Sequence, residues 1–184
     1  MSDWIAAHIT IGGRIPRGLV PGLCQAIRKE SIGLAWGDDA FEPRNTADLL
    51  AARQPIGETA VLRLFDETAC WGRFESLEAF LIKHRIPFDR QNDAKFDISA
   101  SRFVYRPDSG TYEFLTDSQE RIVVQAGPLR GHVEMLEQAQ RDLAAGRVTD
   151  AGSLLADCLA KLQGSLPPEL PALSDFEIES AGAA

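Results

Sequence analysis

Three cysteines in 184 residues, scattered as Cys24, Cys70 and Cys158, are too few and too far apart for a secreted disulfide framework, and without CxxC spacing they argue against a zinc site. Histidine is as scarce: His8, His84 and His132 have no short ligand spacing with one another or with cysteine. No apolar run approaches the ~20 residues a bilayer span needs, and the opening MSDWIAAHITIGG has no basic segment followed by an apolar one. A cytoplasmic protein, neither inserted in a membrane nor exported, is therefore expected. The nucleotide motifs G-x-G-x-x-G and G-x-x-x-x-G-K-[ST], the G-x-S-x-G elbow and the H-E-x-x-H pair are all missing, so no cofactor and no catalytic residue is expected.

Positive charge is also short. Nineteen Lys and Arg face 27 Asp and Glu, a net charge of −8. Four of the acids (Glu169, Asp175, Glu177, Glu179) lie beyond Gly164, where there is no Lys or Arg, so half the excess belongs to the C-terminal stretch. Direct nucleic-acid binding is not expected, because affinity for phosphate backbones comes mainly from Lys and Arg. Such acidity suits a soluble protein with an unknown protein partner, and it also suits a protein that imitates nucleic acid.

What is present is the composition of a globular domain, 45% apolar and 25% charged. The best-defined stretch runs from Ala60 to Asp97. It opens with a buried strand (Thr59 to Phe65), turns at Trp71-Gly72 and continues as an amphipathic helix (Phe74 to Arg85) with Glu75, Glu78 and Lys83 turned outward. A second strand then enters through Pro87. An earlier unit has the same form: a strand over His8 to Ile15, a helix beginning near Val20 or Pro21, and a short return strand from Ile32 to Trp36. The Gly12-Gly13 pair between them reads as a tight turn rather than a phosphate loop. Asn45 or Thr46 caps a short helix over Ala47 to Arg53, which Pro55 and Gly57 end.

After the second unit, strand-like runs at Lys95 to Ile98, Arg102 to Arg106, Thr111 to Leu115 and Arg121 to Gln125 suggest an antiparallel meander. Pro128 opens a helix with Val133, Leu136 and Leu143 as its apolar positions, Gly146 breaks it, and Thr149 or Asp150 caps another. The expected fold is α+β: tandem βαβ units and a meander forming a ferredoxin-like layer, with C-terminal helices. The expected division is a sheet domain over 1–127, a helical hairpin packed on it over 128–164, and an acidic, Pro-rich disordered tail over 165–184.

Few residues point to a site. Asp66, Glu67, Asp89 and Asp93 lie near strand ends, where carboxylates could serve a small metal-dependent enzyme if they converge. Trp71 and Gly72 form a turn suited to an interaction anchor. In the tail, Phe176 and Ile178 alternate with acids and could add a strand to a partner's sheet. An exposed sheet edge could also pair two copies into a homodimer.

ITIGGRI, LAWGD and GRFESLEAFLIKHRIPFDRQNDAKFD resemble small uncharacterised α+β accessory proteins carried by bacterial plasmids, phages and other mobile elements. The resemblance implies no catalytic residues. It implies a non-enzymatic accessory binding protein, with an acidic inhibitor of a CRISPR or restriction enzyme as the alternative.

Overall fold

Alternation in WIAAHITI sends Ala7, Ile9 and Ile11 to one side, and in the computed structural model they are buried beneath two helices as part of strand β1 (Trp4–Ile11). The structure describes residues 4–124 and 126–179. The chain divides into two compact units, Met1–Ile122 with Leu170–Ala184, and Val123–Glu169.

In the first unit β1 leads to β2 (Arg14–Ile15), a 3-10 turn, helix α1 (Val20–Glu30), α2 (Thr46–Ala51), β3 (Arg53–Ile56) and β4 (Thr59–Cys70). Helix α3 (Glu75–Lys83), β5 (Phe88–Asn92), β6 (Ser101–Arg106) and β7 (Gly110–Leu115) follow. One six-stranded antiparallel sheet has the order β3-β4-β1-β5-β6-β7. Both neighbours of β1 run against it, so the β4–α3–β5 crossover straddles β1. Leu23, Cys24 and Ile27 of α1 with Leu77 and Leu81 of α3 share one core with Ala7, Ile9, Ile11, Leu62, Leu64 and Phe88 of the sheet.

Local chemistry explains the element ends. Pro21 is accommodated in the first turn of α1, where its missing N–H costs no helix bond. Asn45 caps α2 by accepting from Ala47 N at 2.7 Å and Asp48 N at 3.1 Å. Gly12 is required by packing, since a Cβ there would stand 2.4 Å from the Ser174 carbonyl oxygen. The Gly12 and Gly13 N–H groups donate to the Pro87 and Ser174 carbonyls, so this turn offers no anion-binding amides.

Several expectations need correction. Ile32 to Trp36 is no return strand: Gly33 alone bridges Phe65, and the chain then turns at Ala35–Asp38. The strand that completes the first crossover is β3, whose Pro55 is tolerated because β3 is an edge. Of the four runs expected in the meander, Arg102–Arg106 and Thr111–Leu115 are strands, β6 and β7, which continue antiparallel from β5, whereas Lys95–Ile98 and Thr116–Ile122 make only isolated bridges; Gln125 lies outside the described residues.

In the second unit α4 (Ala126–Ala144) and α5 (Val148–Ser165) are joined at Gly146, which has φ +78°. So short a connection makes them antiparallel. Neither Thr149 nor Asp150 is the cap of α5, which starts after Arg147 without a side-chain cap bond. The helix pattern is also inverted: Val133, Leu136 and Leu143 are exposed, while His132, Ala139 and Asp142 are buried. The Cys158 thiol stands 3.5 Å from the His132 carbonyl oxygen and marks the seam between the helices.

The expected disordered tail is corrected over 170–179. Residues Glu177–Ile178 form strand β8, parallel to β2. Phe176 is 0% exposed within the main core and Ile178 packs against that core, so neither side chain is a free interaction anchor. Phe176 N donates to the Ala60 carbonyl at 2.7 Å, Asp175 accepts from Ala60 N at 2.7 Å, and Arg106 Nε donates to the Pro171 carbonyl at 2.7 Å. Phe176 and Ile178 are thus part of the first unit.

Removing that ring should leave a cavity in the core. Phe176→Ala is expected to cost about 3–5 kcal/mol in urea unfolding; a change below about 1 kcal/mol would mean that the segment contributes nothing to the fold.

Candidate functional site

Two clefts lie on opposite faces of the sheet. The larger, about 1050 Å³, is on the helix face, beyond the start of α3 and over β5, β6 and β7. Cross-strand pairing builds its floor in two rows, Asn92–Ser101–Leu115 and Arg90–Phe103–Glu113. Its rim carries Trp4 at the start of β1 and Trp71 after β4, which are 46% and 55% exposed.

Trp71 and Gly72 both lie in the left-handed region, at φ +56° and +64°. Gly72 has a second reason to be glycine: a Cβ would approach Asn92 Cβ to 2.6 Å. The turn is closed by Gly72 N to Ala69 O at 3.1 Å and Arg73 N to Cys70 O at 3.1 Å. An exposed indole is therefore held by a defined backbone.

Four charged groups at this cleft, Arg90, Glu78, Glu113 and Glu30, are engaged within the chain. Arg90, nearly fully buried, faces Glu78 at 3.3 Å and Glu113 at 3.7 Å and lies 5.1 Å from the centre of the Phe103 ring. Burial pushes the Arg90 pKa down and the two carboxylates oppose that shift. Glu78, expected to turn outward, instead turns back to this arginine and accepts from Phe74 N at 2.9 Å. Glu30, the last residue of α1, accepts from Ser76 N at 2.6 Å and Leu77 N at 3.0 Å. The positive end of α3 is thereby filled by the protein's own carboxylates, which leaves no vacant anion site there.

The smaller cleft, about 370 Å³, lies on the other face over His8, Thr10, Arg63, Asp89, Gln91 and Arg102. Asp89 pairs with Arg102 and with Arg106, the latter at 2.7 Å. Arg63 Nη2 is 2.8 Å from His8 Nε2; a guanidinium has only donors, so this nitrogen accepts and the imidazole is neutral. Burial, reinforced by Arg63 and Arg102 and opposed by Asp89, lowers the His8 pKa to about 4. Gln91 Oε1 is buried without a partner, while Gln91 Nε2 donates to Thr116 Oγ1 at 2.7 Å.

The four strand-end carboxylates do not meet. Asp66 pairs across from Ala7 on the helix face and accepts from Thr68 N at 2.8 Å. Asp89 pairs across from Thr10 on the other face. Glu67 lines a shallow depression with Trp36, and Asp93 begins the loop after β5, its N–H donating to the Ala6 carbonyl. Among the described residues no group of three or more His, Cys, Asp and Glu is placed to hold a metal ion. His84 ends α3 beside Phe80, with ring centres 4.5 Å apart.

Trp71 and Gly72, singled out in the sequence, lie at the rim of this cleft, whereas Trp4, Arg90 and Glu113, and Glu78 beside them, were not expected there. The available sign was FDRQN, a strand polar on both faces, which a simple half-buried strand would not be. Comparison with known protein families, curated proteins and solved structures finds no match to this chain. What the fold and the clefts define is an α+β protein with a six-stranded antiparallel sheet and C-terminal helices, among whose described helices none is long and apolar enough to cross a membrane.

Two outcomes follow from this geometry. Gly72→Ala combines a left-handed backbone with the Asn92 contact and should lose about 1–3 kcal/mol in urea unfolding; an unchanged midpoint would contradict the assigned turn. His8 titrates near 6.5 unfolded and about 4 folded. As pH falls through that window the unfolded chain takes up a proton that the folded chain refuses, so stability drops with a slope approaching about 1.4 kcal/mol per pH unit. His8→Gln should flatten that component, and parallel pH curves for the two proteins would remove His8 as its source.

Proposed function

We propose that this chain is a non-enzymatic accessory binding protein that acts through protein–protein contacts, with Trp71 as an anchor. The observation that carries this reading is an exposed indole held by a left-handed turn on the rim of the larger of the two clefts. Tryptophan at such a position offers a large, rigid contact area with little conformational entropy to lose. The polar floor favours the same reading, because Arg90, Glu78, Glu113 and Glu30 are engaged within the chain and leave the rim to supply the contact. Around this cleft the acids alternate with Lys29, Arg73 and Arg90, which suits a mixed protein surface better than imitation of a phosphate backbone.

On this proposal β3, β4, β1 and β5 with α1 and α3 form a ferredoxin-like layer, to which β6 and β7 are an added hairpin. The strand order and the crossover that straddles β1 support that assignment. A mobile-element accessory protein is the setting this function would fit.

Trp71→Ala tests the anchor. Since the side chain is exposed, stability should change by no more than about 0.5 kcal/mol. In affinity capture from a bacterial lysate, a partner held by the wild-type chain should be lost from Trp71→Ala bait and kept by His8→Gln bait. Equal retention by Trp71→Ala would remove the anchor role.

A further inference from the structure

The second unit places its large aliphatic residues on the outside. Helix α4 exposes Leu129, Val133, Leu136 and Leu143, at spacings of four, three and seven. Helix α5 exposes Val148, Leu155 and Leu159, at spacings of seven and four, and Leu166, its extended C-cap residue, is exposed just beyond. Each set is one stripe along its helix, in the pattern that helices use to pack on other helices. The buried positions are small or polar: His132, Ala139 and Asp142 on α4, Ala151 and Cys158 on α5.

At 100° per residue, each exposed stripe leads its helix's buried positions by roughly 80° in the same rotational sense. In an antiparallel hairpin this puts both stripes on one face. The α5 part of that face carries no charge, because Asp150, Asp157 and Lys161 stand across the helix axis from Leu155 and Leu159. Beside the leucines stand small residues at four-residue spacing, Gly152, Ala156 and, further round the helix, Ala160, all exposed. A Cβ added at Gly152 would meet nothing within 4 Å. Along the outer edge of α4, Arg130, Glu134, Glu137 and Arg141 supply a polar rim.

We propose that this face is a self-association surface, on which the hairpins of two copies pair about a two-fold axis near α5 into a four-helix bundle. The area fits: the eight aliphatic residues are 41% to 66% exposed. At roughly 180 Å² for a free Leu or Val they present on the order of 700 Å², close to the ~800 Å² per partner of a standard interface and above the patch a monomer usually leaves open. The charge fits as well. Two copies with a net charge of −8 each repel across most of their surfaces, whereas the α5 face brings no like charges together. A self-complementary patch is also what an isologous two-fold contact requires, and the small residues let two α5 helices approach closely.

Sedimentation of the full chain from micromolar to hundred-micromolar concentration tests this, and the wild-type protein should run at twice the monomer mass. Leu159→Glu and, separately, Ala156→Glu should raise the dissociation constant at least about 100-fold while circular dichroism stays unchanged. With Cys70→Ser removing the exposed native thiol, Ala156→Cys should form an intermolecular disulfide on mild oxidation. A wild-type chain that stays monomeric throughout overturns the proposal, whether or not another protein then occupies the face. So does a dimer that both glutamate variants leave intact. Neither result bears on Trp71, which lies in the other unit.

Discussion

Strand β1 is the constraint from which the rest of the first unit follows. It is bonded on both edges, to β4 and to β5, and side chains on both of its faces are buried. On the helix face this is an aliphatic row, closed over by α1 and α3. On the other face it is His8 and Thr10, which are polar and still largely withdrawn from water. A central strand with one polar buried face calls on its neighbours for partners: Arg63 from β4 meets His8, while Asp89 and Gln91 of β5, across from Thr10 and His8, turn to Arg102 and Arg106 and to Thr116.

Buried arginine is the second consequence. Arg90 and Arg106 are both almost wholly removed from water, and each is answered by carboxylates: Glu78 and Glu113 for the first, Asp89 for the second. Desolvating such pairs is costly, so their net contribution to stability is small, but breaking one side of a pair is not. The arrangement therefore specifies the register of β5 against β6 and of α3 over the sheet more than it strengthens either. It also consumes polar groups that, from residue type alone, resemble a reactive site.

The parts of this fold legible in the sequence are those written by local rules. The α1 and α3 stripes, the Asn45 cap and the turn at Trp71-Gly72 can all be read from spacing and residue type, because helix periodicity and left-handed turns leave local marks. Edge strand β3 was hidden by Pro55, which reads as a terminator until an edge position is known. Phe176 was hidden by its surroundings: a ring among prolines and acids looks solvated, and its burial depends on Ala60 and Gly13, more than a hundred residues earlier in the chain. Arg90 was illegible for the same reason, since its carboxylates come from α3 and β7.

The hairpin shows where a periodicity argument stops. Its leucines and valines follow helical spacing faithfully, and that spacing establishes that α4 and α5 each have an apolar stripe. It does not establish that the stripe faces the chain's own interior. A stripe that packs within a fold and a stripe that packs across an interface obey the same geometry and carry the same residues. The two are separated by which positions the hairpin itself buries, and here those are alanines, a cysteine, a histidine and an aspartate. Asp142 can be buried because Arg147, at the turn, closes on it at 2.5 Å, which holds the end of the hairpin without using any aliphatic residue. The aliphatic residues are consequently left over from the internal seam, and their exposure follows from how the hairpin closes rather than from any weakness in its pattern.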